Sequence, residues 1–496
     1  MVLFMNRFVA PVLLAVLLAA PVQTVRAQDT LLRGSLGGAA PQANVFAQDD
    51  LGADDAADDT GEADATRAGA TALVTDAGEE AEPLAEAGRI RAVQPFAERL
   101  RAVSRRSATG GGGSLINDIY DGETQRDAPR GIRVGSFLLY PELFTGLGWT
   151  DNRSGDTSGT SGLLYRVAPT LRAQSDWSRH SLGVNFRGSF TGYPDSSVEA
   201  DPSATLDALL RLDVSDRTEV DVSARYGLSL EDSGSAEATG GGRDIHELGG
   251  GLALRRSVGL IGAELRGEVD STVYSGGNST AANRERDNAL FSATLRLDSN
   301  TGAGLQPFVE GSLFTRRYFE RCTDLTLCAD RDSKGYALRA GIAFDVGGKI
   351  TGDIGAGWRS ETLDDTRLAR LEGLTVDGSL IWSPTRLTTV TATLATNLAP
   401  STIAGTPGSL LYSGDLRLAH GFSDALSGEI GVGLSRRDYA GIRLIEDEAS
   451  ATAALTWALT SNVAVQGRYT FRRFSSTTPG AGYSENAIEG GLRFRH

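Results

Sequence analysis

The chain has 496 residues, 40% of them hydrophobic, and a formal charge of −15. The acidic balance argues against a nucleic-acid partner. Its four histidines, His180, His246, His420 and His496, include no metal-ligand spacing such as His-Glu-x-x-His.

Residues 1–27 read as a cleavable signal peptide. Arg7 gives the positive start, residues 8–20 the apolar core, and Val25-Arg26-Ala27 a small-residue site ahead of Gln28. The apolar run is shorter than the roughly 20 residues a spanning helix needs. No later segment reaches that length either, so an exported chain of this kind meets a membrane as a barrel or as a surface binder. Residues 28–130 are acidic and Gly-rich, with runs such as Asp54-Asp55-Ala56-Ala57-Asp58-Asp59. Such a composition buries too little apolar surface to fold, and predicts a disordered periplasmic segment. Within it, residues 90–106 have the pattern of a short basic amphipathic helix, which fits either a partner-binding or lipid-surface helix or a solvated linker turn.

From Trp177 onward, short turns recur at close to forty-residue intervals. They include Asp176-Trp177-Ser178-Arg179, Ser215-Asp216-Arg217-Thr218, Val258-Gly259, Asn300-Thr301-Gly302, Gly347-Gly348, Ser383-Pro384-Thr385-Arg386, Phe422-Ser423-Asp424 and Ser461-Asn462. A longer stretch rich in Gly, Ser, Asp, Asn and Thr separates each from the next. About ten alternating apolar and polar residues flank every turn, which is how a transmembrane β-barrel reads. Residues 219–230 show it most cleanly: even positions are Val, Val, Ala, Tyr, Leu and Leu, odd positions Glu, Asp, Ser, Arg, Gly and Ser. Successive strand side chains point to opposite faces, so one face is apolar and the other ionic.

A soluble sandwich also alternates, but these runs exceed the usual strand of about 5–6 residues. The apolar positions also include Gly262, Gly352, Ala356, Gly414, Gly428 and Gly490, which would pack a protein core poorly and suit a lipid boundary. All five tryptophans fall on the apolar parity: Trp177, Trp382 and Trp457 flank short turns, while Trp149 and Trp358 lie near long-loop ends, as membrane-interface belts require. Eight short turns joining nine long-loop hairpins predict an all-β, antiparallel up-and-down transmembrane barrel over residues 131–496. It has eighteen strands, or sixteen at the lower count, with both termini on the short-turn side. Cys322 and Cys328 share one long loop, and in an exported chain they favour a local disulfide.

The run Gly131-Ile132-Arg133-Val134-Gly135-Ser136-Phe137-Leu138-Leu139-Tyr140-Pro141, with Trp149-Thr150-Asp151-Asn152 after it, resembles the outer-membrane β-barrel porins of the second kind found in alphaproteobacteria. The stretch Ser175-Asp176-Trp177-Ser178-Arg179-His180 is similar to that family's first periplasmic turn. The resemblance implies a barrel in the outer membrane of a Gram-negative bacterium, in contact with its lipids and its barrel assembly machinery. It further implies polysaccharide-export components as partners of some relatives. This chain departs from the usual terminal aromatic, since Arg495-His496 follow Phe494.

By parity the interior carries Arg166, Arg172, Arg187, Arg211, Arg225, Arg266, Arg296, Arg339, Arg359, Arg417, Arg468 and Arg493. Facing the same way are Glu219, Asp221, Glu264, Asp353, Asp415, Glu429 and Glu489. Guanidinium groups suit fixed ladders with carboxylates. Two readings stand side by side: a pore wall that screens solutes, and pairs that hold neighbouring strands in register. Interior aromatics look few, with Tyr193, Tyr274, Tyr318 and Tyr439 at the outer rim. The functional expectation is a non-enzymatic channel without cofactor, passing small polar solutes or exporting surface polysaccharide. The alternatives are a non-conducting barrel that anchors surface material and, further off, a lipid hydrolase using His420.

Overall fold

The computed structural model describes residues 131–496, apart from positions 195, 197, 199, 216, 232–235, 238–242, 277–283, 300–303, 321–329, 347–348, 386, 402, 404 and 479. The expected signal peptide, the acidic segment with its helix, and the Cys322–Cys328 bridge lie outside the described residues.

A short strand, β1 (Ile132–Val134), precedes eighteen long ones: β2 (Phe137–Thr150), β3 (Gly162–Ser175), β4 (His180–Gly192), β5 (Asp201–Ser215), β6 (Thr218–Leu230), β7 (Arg243–Val258), β8 (Ile261–Gly276), β9 (Asn288–Ser299) and β10 (Leu305–Tyr318) come first. Then follow β11 (Ser333–Val346), β12 (Ile350–Leu363), β13 (Leu371–Thr385), β14 (Thr388–Pro400), β15 (Gly408–Gly421), β16 (Leu426–Tyr439), β17 (Ile445–Ala458), β18 (Val463–Ser476) and β19 (Tyr483–Arg495). Each pairs antiparallel with its neighbours in sequence, and β19 closes on β2 from Ala487↔Thr150 to Arg495↔Glu142. The result is a closed eighteen-stranded antiparallel barrel. The strand ends that flank the short turns read from the sequence lie at one rim, and those that flank the long loops lie at the other. A strand of 14 residues at a rise of about 3.3 Å and a tilt near 40° stands about 35 Å tall, enough to cross an apolar band of about 25 Å.

The alternation decides which way each strand faces. Leu147, Leu313 and Leu338 point outward at 71, 69 and 60% exposure, while Glu264, Arg296 and Asp298 point inward at 1, 5 and 5%. In water such a molecule would be inside out; in lipid the outward Leu, Val and Ile lie against acyl chains. Every long strand is hydrogen-bonded to a neighbour on both edges, so the ring has no open edge, as hydrocarbon demands. Pro169 lacks a donor, and the β3–β4 ladder is interrupted there, between Val167↔Phe190 and Thr170↔Arg187.

One expectation needs correcting. Gly262 pairs with Asp298, and a Cβ there would lie 2.4 Å from the Asp298 carboxylate, so this glycine is on the charged inner face. Gly352 and Gly428 are on the outer face, where Phe344 and Phe422 cover them.

The two segments that carried the family resemblance clasp each other. At Gly135, with φ 61°, β1 turns back into β2. Arg133 Nη1 donates to Asp176 Oδ2 at 2.7 Å, Asp176 N to Ser136 O at 2.7 Å, and Trp177 Nε1 to Ser136 Oγ at 3.2 Å. The Phe137 and Trp177 rings meet edge to face at 5.7 Å. At the opposite rim Asp151 holds the closing seam: its carboxylate accepts Asn486 N and Asn486 Nδ2, each at 2.7 Å. Asn152 reaches from the same turn to Ser484 O at 3.1 Å. These motif residues therefore fasten the barrel at both rims.

Candidate functional site

The inner wall is the site. Alternation along the strands puts Arg and carboxylate side chains on it, and cross-strand register brings opposite charges together. Arg211 lies directly across from Asp221, with Nε to Oδ1 at 3.1 Å. Arg468 faces Glu489 at 3.3 Å, and Arg296 faces Glu310 at 3.9 Å. Arg417 reaches Glu429 at 3.7 Å, Arg339 reaches Asp353 at 3.0 Å, and Arg359 reaches Glu361 at 3.8 Å. Arg266 contacts Glu264, and Arg493 reaches Glu142 at 3.6 Å.

Glycine extends this reach over a whole strand. Arg225 on β6 grips Asp270 on β8 at 2.9 Å, passing over Gly249 of β7. A Cβ at Gly249 would sit 2.3 Å from Arg225 Nε and 2.8 Å from Asp270 Oδ1. Likewise Arg166 on β3 crosses β2 beside Gly146 and Gly148 to Glu489 on β19 at 3.2 Å. Without side chains on the middle strand, a guanidinium can bridge two strands. Glu489 is thus shared by Arg166 and Arg468.

Of the other expected inward residues, Arg172 lies over the Tyr140 ring at 4.7 Å, and Arg187 lines a recess together with Arg166, Arg172, Arg468 and Arg493. Glu219 is in register with Arg255, and Asp415 with Gly433, where a Cβ would approach its Oδ1 at 3.0 Å. Ser379 Oγ donates to Asp353 at 2.9 Å. Among the tryptophans, Trp149, Trp382 and Trp457 are exposed on the outer face near strand ends, Trp358 is exposed on the outer face in the middle part of β12, and Trp177 is half-buried in the clasp. His420 Nδ1 lies 2.9 Å from Thr388 Oγ1, its ring against Phe422, so it ties β14 to the next short turn.

The parity reading undercounted interior aromatics. Phe144, Phe308 and Phe314 are buried on the inner side. Arg296 stacks over Phe308 at 3.7 Å, with Arg339 at 5.1 Å on the same ring, and Arg359 over Phe314 at 4.1 Å. Cation–π attraction of about 0.5–2 kcal/mol orients each guanidinium while leaving its N–H edge for a carboxylate. The sequence held a signal for them. Phe308 and Phe314 stand six residues apart, as do Gly341 and Gly335, and the register pairs each ring with a glycine that makes room for it.

Tyr318 and Tyr439 are buried at the long-loop ends of their strands, and Tyr274 is half-buried. Arg286 covers Tyr274 at 3.9 Å, and Tyr439 donates to Glu446 at 3.1 Å. The loops are laced together. Arg331 donates to the carbonyls of Ser401, Ile403 and Thr406 in another loop, at 3.2 Å for Thr406. The β6–β7 loop goes further: Ala236 N donates to Glu446 Oε1 at 2.7 Å. Glu446 is on β17, eight strands from β7 by the shorter way round, so Ala236 reaches across the mouth to it. In the exposed loops, hydrogen bonds from Ser158 and Ser154 hold the Asp156 carboxyl below the usual carboxylate range. Hydrogen bonds from Arg367 hold that of Asp365 down to about 2.

A closed barrel with an apolar exterior and a charged interior is an outer-membrane β-barrel. More particularly, the chain belongs to the family described as "Putative beta-barrel porin 2", whose model matches residues 127–496. No curated protein matches it. Solved structures to which it is similar include the outer membrane protein OpdK from Pseudomonas aeruginosa, at 12% identity and TM-score 0.38, over 72% of this chain and 99% of that one. A BenF-like porin from Pseudomonas fluorescens Pf-5 is similar at 11% identity and TM-score 0.39, over 73% and 100% of the two chains.

Proposed function

We propose that this porin is a passive channel carrying small polar solutes across the outer membrane, with the short-turn rim and both chain termini on the periplasmic side. One observation carries the reading: a wall of ion-paired arginines and carboxylates lines the inside of a cylinder whose outside is apolar. Barrels of 16–18 strands are wide enough to hold an aqueous path. Because both signs alternate around the wall, ion selectivity is weak, and solutes are sorted mainly by size and hydrogen bonding. The β6–β7 loop, tethered to Glu446, supplies a constriction at the outer mouth.

The crossing loop also supports a second reading, a structural barrel that anchors surface material such as polysaccharide. Planar bilayers separate the two. Full-length protein should give stepwise conductance, increased when Glu446→Gln weakens the tether. Silence of both proteins, once incorporated and heat-modifiable on gels, would leave the anchoring role. Surface polysaccharide, assayed in a deletion strain, tests the larger cargo.

A further inference from the structure

A patch of polar side chains stands on the outer face of β6, β7 and β8, where alternation against lipid calls for apolar ones. The β6–β7 and β7–β8 ladders run without a break here, so parity assigns the faces. Leu248 and Leu252 of β7 and Leu265 and Val269 of β8 are exposed on the outside. Asp244 and His246 share the parity of those β7 leucines, Ser275 that of the β8 pair, and Tyr226 that of the exposed Val222 on β6. The register sets Asp244 directly across from Ser275.

These groups are connected through His246. Its Nε2 lies 2.9 Å from Ser275 Oγ and its Nδ1 lies 2.9 Å from the Tyr226 hydroxyl, with the two rings 6.2 Å apart. His420, by contrast, meets a threonine hydroxyl and a phenyl ring. A hydroxyl, an imidazole and a third group that orients the ring are the parts of an activated serine nucleophile. The tautomer with its proton on Nδ1 donates to the Tyr226 oxygen and leaves Nε2 to accept from Ser275. Asp244, on the same face, adds a negative charge that favours the imidazolium formed when that proton moves.

Location selects the substrate. His246 is three residues in from Arg243, where β7 begins at the long-loop rim. At a rise of about 3.3 Å and a tilt near 40°, that is about 8 Å below the rim, at the border of an apolar band of about 25 Å. At this height membrane lipids present the ester carbonyls that join headgroup to acyl chain, and only lipid lies against this face.

We propose that Ser275, His246 and Tyr226 form a hydrolytic site for acyl esters of the lipids around the long-loop rim. Ser275 Oγ attacks the ester carbonyl carbon and its proton passes to His246 Nε2. The bond to the alkoxy oxygen breaks, and that oxygen leaves with the proton as an alcohol. Water, deprotonated by the same nitrogen, then attacks the acyl-serine and releases the fatty acid, returning the proton to Ser275. Tyr226 is a positioning residue. Backbone N–H groups of a sheet point along the ladder, so the oxyanion is left to interfacial water, which keeps turnover slow.

The test uses full-length protein in phospholipid vesicles, each variant first checked for heat-modifiable folding. It needs no conductance, so its failure is separate from failure of the channel reading. An alkyl fluorophosphonate should modify Ser275, located by mass spectrometry, and a long-chain p-nitrophenyl ester should be cleaved. Ser275→Ala should abolish both, and His246→Gln should slow both about a hundredfold. Tyr226→Phe should lower kcat about tenfold at unchanged KM, the worth of one neutral hydrogen bond. His420→Ala should change neither reaction. Absence of a Ser275 adduct, labelling unaffected by His246→Gln, cleavage that survives Ser275→Ala, or a kcat unmoved by Tyr226→Phe overturns the proposal.

Discussion

Glu489→Gln isolates the role of the inner-wall charges. Glu489 lies between Arg166 and Arg468, at 3.2 and 3.3 Å. The amide keeps the shape and one acceptor while removing a negative charge facing the lumen. A unit charge about 8 Å from a passing ion, in water of dielectric constant about 80, contributes about 0.5 kcal/mol. Screening at 0.1 M salt, with a Debye length of about 10 Å, reduces this to about 0.2 kcal/mol. The change acts oppositely on anions and cations, so their permeability ratio shifts by about 0.5 kcal/mol, roughly twofold toward anions. Reversal potentials under a KCl gradient across a planar bilayer read this directly, and the shift should shrink as salt rises. An unchanged reversal potential at low salt, in a variant with wild-type heat modifiability, would refute the assignment of this charge to the ion path.

Other outcomes follow from the geometry. Asp151→Ala removes both acceptors of the Asn486 bonds at the β19–β2 seam; it should lower stability by about 1–3 kcal/mol, read as an earlier urea midpoint in lipid. Gly341→Val places atoms where a Cβ alone already comes within 2.3 Å of Ile354 O and 2.5 Å of Phe308 Cζ, whereas Gly490→Ala meets nothing within 4 Å. The first should sharply reduce the yield of folded barrel and the second leave it unchanged. Asp365, held down to about 2 by Arg367, stays ionised in acid. A carboxyl depressed on folding stabilises its loop above the unfolded value of about 3.9, and that contribution is lost as pH falls through about 2. Arg367→Ala should return the titration toward about 3.9, measured from the carboxyl carbon shift in NMR.

Much of the fold was legible because one physical rule, period-2 alternation against lipid, applies in every strand. Residues 219–230 carry it without exception, and turn chemistry such as Val258-Gly259 marks the rim. Gly262 was misread because a glycine has no polarity of its own; its face is set by Asp298 across the strand. The charged face was readable residue by residue, but the partners were not. Pairing Arg225 with Asp270 needs the register of three strands and the gap at Gly249. Phe308 and Phe314 stand on the same inward parity as Glu310, but an apolar ring on a charged wall is not expected from local alternation. Their place inside depends on arginines and glycines contributed by strands on either side. The β6–β7 crossing to Glu446 joins positions 210 residues apart, and no local pattern foretells it.

The account depends most on which face of each strand is wet. In a Cys322→Ser, Cys328→Ser background, single cysteines placed in turn at Val220, Asp221, Val222, Ser223, Ala224 and Arg225 of β6 can be probed in liposomes with a small water-soluble thiol reagent and a lipid-dissolved one. The water-soluble reagent should label positions 221, 223 and 225 and the lipid-dissolved one positions 220, 222 and 224. Uniform labelling along the strand, or the opposite phase, would contradict a charged interior enclosed by an apolar wall.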